Sequence, residues 1–230
     1  MLKISDINVK YGEHTVLENF SFDAQEGKIY GLMGLNGSGK TTLIKAICGI
    51  IPLDAGTIEF TGREIKLSDI GYLETANYFY SKITAKEYLN IIKWKHSNFD
   101  IEKWNSIFEL PLDELIETYS SGMKKKLAAM GVFGLERPLL LLDEPFNNLD
   151  METNQVLNNV IKQLKEKGKI VILTSHILET LTGICDEIQY LNDKKIEKIF
   201  YPDEYNLIQS SIIDKKLQSK IETIKQIIQN

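Results

Sequence analysis

Cysteine is scarce in this chain. Cys48 and Cys185 are the only two in 230 residues; they lie far apart and match no metal-ligand spacing, and a reduced cytosolic compartment fits them better than a disulfide framework. Long apolar runs are missing too. The longest, Leu139–Leu142 and Ile170–Leu173, end in polar groups and fall far short of the roughly 18–20 residues that a membrane-spanning helix needs. If the protein works at a membrane, another chain must cross it. The opening stretch, MLKISDINVK, alternates like a strand and has no signal-peptide core. There is no excess of basic charge: 27 Lys and Arg stand against 32 Asp and Glu, a net charge of −5. That balance argues against nucleic acid as a partner, because neutralising phosphates along a strand needs a basic face. Internal repeats and low-complexity segments are also absent.

What is present is 43% hydrophobic residues, enough for one substantial core and a single domain over 1–230. Leu2 to Val9 and Val16 to Phe22 read as strands around a Tyr11-Gly12-Glu13 turn. Ile29 to Met33 is an apolar run that stops at a glycine-rich loop, Thr42 to Ile50 is helix-like, and Thr57 to Phe60 is a short strand. From Thr84 to Glu117 apolar residues recur at helical spacing, as in Tyr88, Ile91 and Ile92. This marks a helical insertion, part of a helical subdomain reaching to about residue 135. Beyond Arg137, buried strands alternate with helices, the pattern of a parallel sheet. A strand and a polar helix are expected over 195–230, the helix from Ile212 to Asn230 with Leu217, Ile221, Ile224 and Ile227 on its apolar side.

The loop Gly34-Leu35-Asn36-Gly37-Ser38-Gly39-Lys40-Thr41 satisfies G-x-x-x-x-G-K-[ST]. Glycines let the backbone curl until successive N–H groups point at phosphate oxygens. Lys40 supplies a point charge toward the terminal phosphates, Thr41 offers a hydroxyl to Mg²⁺, and the helix opening at Lys40 adds its positive end. A strand before the loop and a helix after it complete the context. The second element is Leu139-Leu140-Leu141-Leu142 ending in Asp143-Glu144-Pro145. A carboxylate at the tip of a buried strand beside a phosphate loop, Asp143, is suited to hold Mg²⁺. Glu144 projects differently and is suited to polarise a water. Together the two motifs predict a nucleoside triphosphatase.

Tyr119-Ser120-Ser121-Gly122-Met123-Lys124 resembles the ABC signature sequence, L-S-G-G-Q. With Asn148-Leu149-Asp150 where that family has its D-loop and Thr174-Ser175-His176 where it has its switch histidine, order and spacing resemble the ABC ATPase family from about residue 2 to 200. The resemblance implies an α/β P-loop fold: a RecA-like, mostly parallel core sheet, an antiparallel β subdomain and a short helical subdomain. It implies that Tyr11 stacks on the adenine, that Val16 belongs to the nucleotide-binding residues, that Gly34 to Thr42 meet the phosphates, and that Thr41 and Asp143 meet the Mg²⁺. It further implies a head-to-tail dimer, with an identical copy or a related ATPase, in which Ser120, Ser121 and Gly122 of one copy face the γ-phosphate on the other. His176 would hold the γ-phosphate and the attacking water in line with Glu144, while Asp150 connects the two sites. An export-type subunit working beneath integral membrane permease subunits, on the cytoplasmic face, is the function implied. A soluble assembly ATPase of the iron–sulfur scaffold type is the alternative.

Two departures from the family pattern stand out. Ser121 replaces a glycine and Met123 the glutamine of the signature. The Q-loop stretch, Gly71-Tyr72-Leu73-Glu74-Thr75-Ala76-Asn77, contains no glutamine; Glu74 or Thr75 takes its place, and Glu74 is the expected Mg²⁺ ligand. Tyr78, Phe79 and Tyr80 suit either a hydrophobic docking site or a cap on the core. Lys124-Lys125-Lys126 reads as a solvated helix face.

Overall fold

Continuous apolar runs need cover on both faces, and the way these strands share their side chains provides it. The computed structural model describes residues 1–214 and 227–228. In order the chain forms β1 (Leu2–Tyr11), β2 (His14–Ala24), β3 (Ile29–Met33), α1 (Lys40–Ile47), β4 (Ala55–Phe60), β5 (Arg63–Glu64), β6 (Ile70–Leu73), α2 (Ala85–Lys95), α3 (Ile101–Phe108), α4 (Ser121–Gly134), β7 (Leu139–Leu142), α5 (Met151–Glu166), β8 (Ile170–Thr174), α6 (Leu178–Thr182), β9 (Glu187–Asn192) and β10 (Lys195–Phe200).

Six strands make the central sheet in the order β10-β9-β3-β8-β7-β6. All neighbours in it are parallel except the β10–β9 hairpin. Period-2 alternation divides its side chains between two cores. Leu140, Leu142, Val171 and Leu173 join the core beneath α4 and α5. Leu139, Leu141, Ile170 and Ile172 join the core shared with α1 and the second sheet. That second sheet is antiparallel, in the order β2-β1-β4-β5. The observed architecture is therefore the α/β arrangement of a mostly parallel core sheet, an antiparallel sheet and a helical segment. Several boundaries move: β1 runs on to Tyr11 and β2 spans His14 to Ala24, α1 begins at Lys40 and ends at Ile47, and the strand expected from Thr57 begins at Ala55.

The helical segment rests on α4. A capping box between Thr84 and Glu87 opens α2. Ile92 and Tyr88 of α2 lie against Gly131, where an added Cβ would come within 2.8 Å of Ile92 Cδ1. Trp104 of α3 packs over Phe133 with ring centroids 5.9 Å apart. On its other side α4 reaches the central sheet, with Val132 against Gly71. Most of the expected C-terminal helix, including Leu217, Ile221 and Ile224, lies outside the described residues; within them Ile212 packs against the core.

The antiparallel sheet carries a bulge in β1. Asp6 adopts φ 49°, the register with β4 shifts between Ser5 and Asn8, and Ser21 Oγ ties the bulge by accepting from Asp6 N and donating to Asp6 Oδ1. Gly56 of β4 passes so close to the bulge that a Cβ there would lie 2.5 Å from Ser5 O, Asp6 O and Ile7 Cα, and its φ is +88°. Both the space and the dihedral demand glycine. Gly56→Ala is therefore expected to destabilise the protein by about 1–3 kcal/mol, read as a lower urea midpoint in an equilibrium unfolding curve at unchanged slope.

Candidate active site

In open parallel sheets, ligands bind outside the carboxyl ends of the strands, and here four neighbouring strands end in the residues singled out above. The strand β3 runs into the Gly34–Gly39 loop, β7 into Asp143 and Glu144, β8 into Thr174 and His176, and β6 into Glu74 and Thr75. Between them lies a cleft of about 410 Å³ lined by Val16, Asn36 to Thr42, Thr75, Asp143 and Glu144. A more voluminous cleft, about 580 Å³, lies by the end of α1 against β4 and β5. Its lining is largely aliphatic, with Ile51, Leu53, Ile58 and Ile65, and offers no phosphate cradle, so its size does not make it the site.

The loop is built for an anion. Gly39, at φ 105°, immediately precedes α1, and only glycine adopts that turn without strain. It delivers the open N-terminal N–H groups of an eight-residue helix to the cleft. Lys40 is buried, and its Nζ donates to Gly34 O at 2.7 Å and Leu35 O at 3.2 Å. Burial pushes its pKa down, while Glu144 and Asp143 pull it back up. Its present partners are neutral carbonyls, which phosphate oxygens can replace with charge-assisted bonds.

Asp143 is 2% exposed, and both its oxygens are engaged. Thr41 Oγ1 donates to Oδ2 at 3.0 Å, and Thr174 Oγ1 donates to Oδ1 at 2.7 Å. The same Thr174 oxygen accepts from Glu144 N at 2.9 Å. That bond holds Glu144 in a left-handed conformation, φ 50°, which turns its side chain out of the strand direction. Glu144 Oε2 lies 3.0 Å from His176 Nδ1. An ionised carboxylate only accepts, so Nδ1 carries the hydrogen in that bond. Sequence reasoning took Thr174 only as part of the histidine motif and missed its hydroxyl bridge. The signal was faint: one hydroxyl at the end of an aliphatic strand.

The Glu74–Thr75 alternative divides between two cavities. Thr75 lines the 410 Å³ cleft, whereas Glu74 lines a neighbouring one of about 310 Å³ with Tyr72, Asn77, Tyr78, Phe79 and Tyr88. The residue expected as a Mg²⁺ ligand thus lies on the far side of the turn, and its neighbour faces the phosphate loop. The aromatic triplet also divides. Tyr78 and Tyr80 are 86% and 77% exposed, while Phe79 packs edge-on to Tyr88 at 5.1 Å. The lysine run is not a solvated face: Lys125 is 2% exposed. Its Nζ donates to the carbonyls of Glu74 and Thr75, with its pKa lowered by burial to about 8 against the pull of Asp143 and Glu144.

Other expected site residues lie apart from this cleft. Ser120 caps α4, its Oγ accepting from Met123 N at 3.2 Å, and Asp150 caps α5 by accepting from Thr153 N at 2.7 Å. Ser121 is exposed. Gly122 abuts the Asn148 carbonyl, 2.8 Å from where a Cβ would be. Ser120 to Gly122 and Asp150 therefore share one surface, and none of them lines the chain's own cleft. Gly34 and Leu35 border the adjoining hollow beside His176. Tyr11, at the end of β1, is half exposed. Among the described residues no helix is long and apolar enough to cross a membrane, and no group of three or more His, Cys, Asp or Glu could hold a metal by itself.

Comparison with known proteins gives a consistent result. The family model described as ABC transporter matches residues 17–147. The ABC transporter ATP-binding protein YtrB of Bacillus subtilis is 33% identical over 213 residues, covering 89% of this chain and 73% of that protein. The lantibiotic transport ATP-binding protein SrtF of Streptococcus pyogenes is 30% identical over 204 residues, covering 85% and 89%. Among solved structures, an ATP-binding subunit of an ABC transporter superposes with a TM-score of 0.84 at 27% identity over 92% of each chain. The ATP-binding cassette MJ0796, solved as a dimer with ADP and Pi, shares the fold with a TM-score of 0.78 at 22% identity, covering 88% and 99%.

The Thr174 bridge yields a test. Thr174→Val keeps the branched shape but leaves Asp143 Oδ1 and Glu144 N–H without their partner. Losing such bonds costs about 1–3 kcal/mol, so nucleotide turnover should fall by about tenfold or more while Thr174→Ser stays near wild type. Phosphate-release kinetics, alongside binding of a fluorescent ATP analogue, check this outcome.

Proposed function

Because this chain belongs to the ABC transporter family of ATP-binding proteins, we propose that its cleft is the hydrolytic half-site of a head-to-tail dimer driving separate membrane subunits, in the direction of export. The chain binds and hydrolyses ATP, as its family does. The observation that carries the finer reading is a division of parts. The phosphate loop, Asp143, Glu144 and His176 converge on one sheet edge, whereas Ser120, Gly122 and Asp150 form a second surface outside that cleft. A second anion-seeking helix start in the same chain makes chemical sense when it completes the cleft of another copy.

In this reading the loop N–H groups and Lys40 hold the β- and γ-phosphates, and Val16 with the exposed ring of Tyr11 meets the adenine. Thr41 Oγ1 and Asp143 Oδ2 are hard oxygen donors 3.0 Å apart, a set that fits Mg²⁺ when phosphates and water complete its shell. Mg²⁺, when bound, neutralises phosphate charge. Glu144 orients a water and takes its proton as the water oxygen attacks the γ-phosphorus and the β–γ bridging oxygen leaves with ADP. His176, fixed by Glu144 at Nδ1, presents its other ring nitrogen to the γ-phosphate. Ser120 and the α4 N-terminus of the partner close the site.

The 310 Å³ cleft beside the active site, rimmed by exposed Tyr78 and by Phe79, supports docking of a membrane subunit. Relatives that carry transport in their names, such as the lantibiotic protein, favour an export substrate class. In this reading the chain sits peripherally at a membrane through its partner.

Glu144→Gln should retain ATP binding, lose turnover by about 10²–10⁴-fold, and accumulate an ATP-dependent dimer. Ser120→Arg should bind ATP as a monomer and fail to dimerise. Light scattering with and without ATP distinguishes these; an ATP-dependent dimer of the Ser120→Arg variant would overturn the interface. At the level of transport, tagged protein purified from detergent-solubilised native membranes should bring down a polytopic membrane protein at near-equal stoichiometry. A purely soluble complex would turn the reading toward assembly ATPases.

A further inference from the structure

Lysine is almost never fully buried unless paired, which makes Lys125 unusual. It is 2% exposed, and among the described residues no carboxylate takes its hydrogen bonds. Instead Nζ donates to two successive backbone carbonyls, Glu74 O at 2.9 Å and Thr75 O at 3.1 Å. These lie 51 and 50 positions earlier in the chain, on the turn that leaves β6. Asp143 and Glu144 attract the ammonium from a greater distance.

What Lys125 joins gives the bond its meaning. Its own helix, α4, opens at Ser120, and it lies little more than one helical turn inside that start. The turn it grips has two sides: Thr75 lines the nucleotide cleft and Glu74 lines the aromatic cleft next to it. If α4 moved without the turn, both bonds would break and leave a buried ammonium unpartnered, a heavily penalised state. If the turn moved without α4, the same would follow. Neither segment moves freely of the other.

We propose that Lys125 is a positioning residue for ATP hydrolysis: it makes the Glu74–Thr75 turn travel with the signature helix, so that Thr75 is seated in one cleft as Ser120 is carried to the phosphates of the other. The proposal rests on reading the cleft as the hydrolytic site. Ground-state binding of ATP to the loop residues does not depend on the strut; assembly of the reactive arrangement does.

The test compares Lys125→Met, which keeps the apolar stem and donates nothing, with Lys125→Arg, which keeps a cationic donor. For Lys125→Met, affinity for a fluorescent ATP analogue should stay within about threefold, while turnover falls by about tenfold or more, a loss typical of small misplacements around a reacting centre. Hydrogen exchange of the backbone over residues 73–78 should be faster than in the wild type, a comparison that needs no turnover. Lys125→Arg should recover most of the lost rate and slow the exchange again. Wild-type turnover and exchange in Lys125→Met would overturn the proposal. So would a parallel loss of affinity, rate and melting temperature in both variants, the signature of a lysine that merely packs. Failure of the wild type to bind the ATP analogue would instead overturn the hydrolytic reading, leaving the exchange comparison to decide the strut.

Discussion

One buried carboxylate organises this site. Asp143 stands at the tip of β7 with both oxygens taken by hydroxyls, Thr41 from the start of α1 and Thr174 from the end of β8. Three elements that are distant in sequence are thereby fixed to one another at the sheet edge. A carboxylate so placed is costly unless its lone pairs are satisfied. The two hydroxyls satisfy it, and Thr174 passes the constraint on to Glu144 through the backbone N–H. The position of Glu144, and through it His176, is thus a consequence of how Asp143 was accommodated.

The two buried lysines near the cleft share one kind of hydrogen-bond partner. Lys40 and Lys125 are both buried, and both donate only to main-chain carbonyls. For Lys40 this arrangement is exchangeable. Gly34 O and Leu35 O lie in a glycine-rich loop, and phosphate oxygens offer stronger, charge-assisted bonds at the same helix start. For Lys125 the carbonyls belong to a turn between two clefts, so its bonds brace the main chain there. Two lysines with the same local chemistry thus have different proposed roles, Lys40 in binding and Lys125 in positioning, according to whether the partner can be displaced.

How much of this was legible in the sequence follows from how local each signal is. The phosphate loop, the aliphatic β7 and β8 runs, and the capping residues Ser120 and Asp150 act over a few positions, so the string itself carries them. The unbroken apolar run from Leu139 to Leu142 foretells a strand buried on both faces, and the structure divides those side chains between two cores. The contacts that bridge long separations were invisible. Lys125 looked like one of three solvated lysines because a run of like charge reads as a surface, and nothing local shows that its helix crosses the end of β6. Thr174 sat at the end of an aliphatic strand, where a hydroxyl has no evident partner until β7 is laid beside it. Thr75 could not be told from Glu74, since a one-residue ambiguity at a strand end reverses which side of the sheet a residue faces.

That last ambiguity carries a mechanistic consequence. In the family pattern a single glutamine both meets the metal and couples to the membrane partner. Here no glutamine is present, and two neighbouring residues line different clefts, Thr75 the one beside the phosphate loop and Glu74 the aromatic hollow. The two clefts are joined by the backbone between these residues. A two-residue turn held at both carbonyls by a buried cation is stiff enough to couple them, whereas a free turn would let each side chain adjust without the other. Lys125, by holding both carbonyls, ties the residues that line the two clefts together through the main chain.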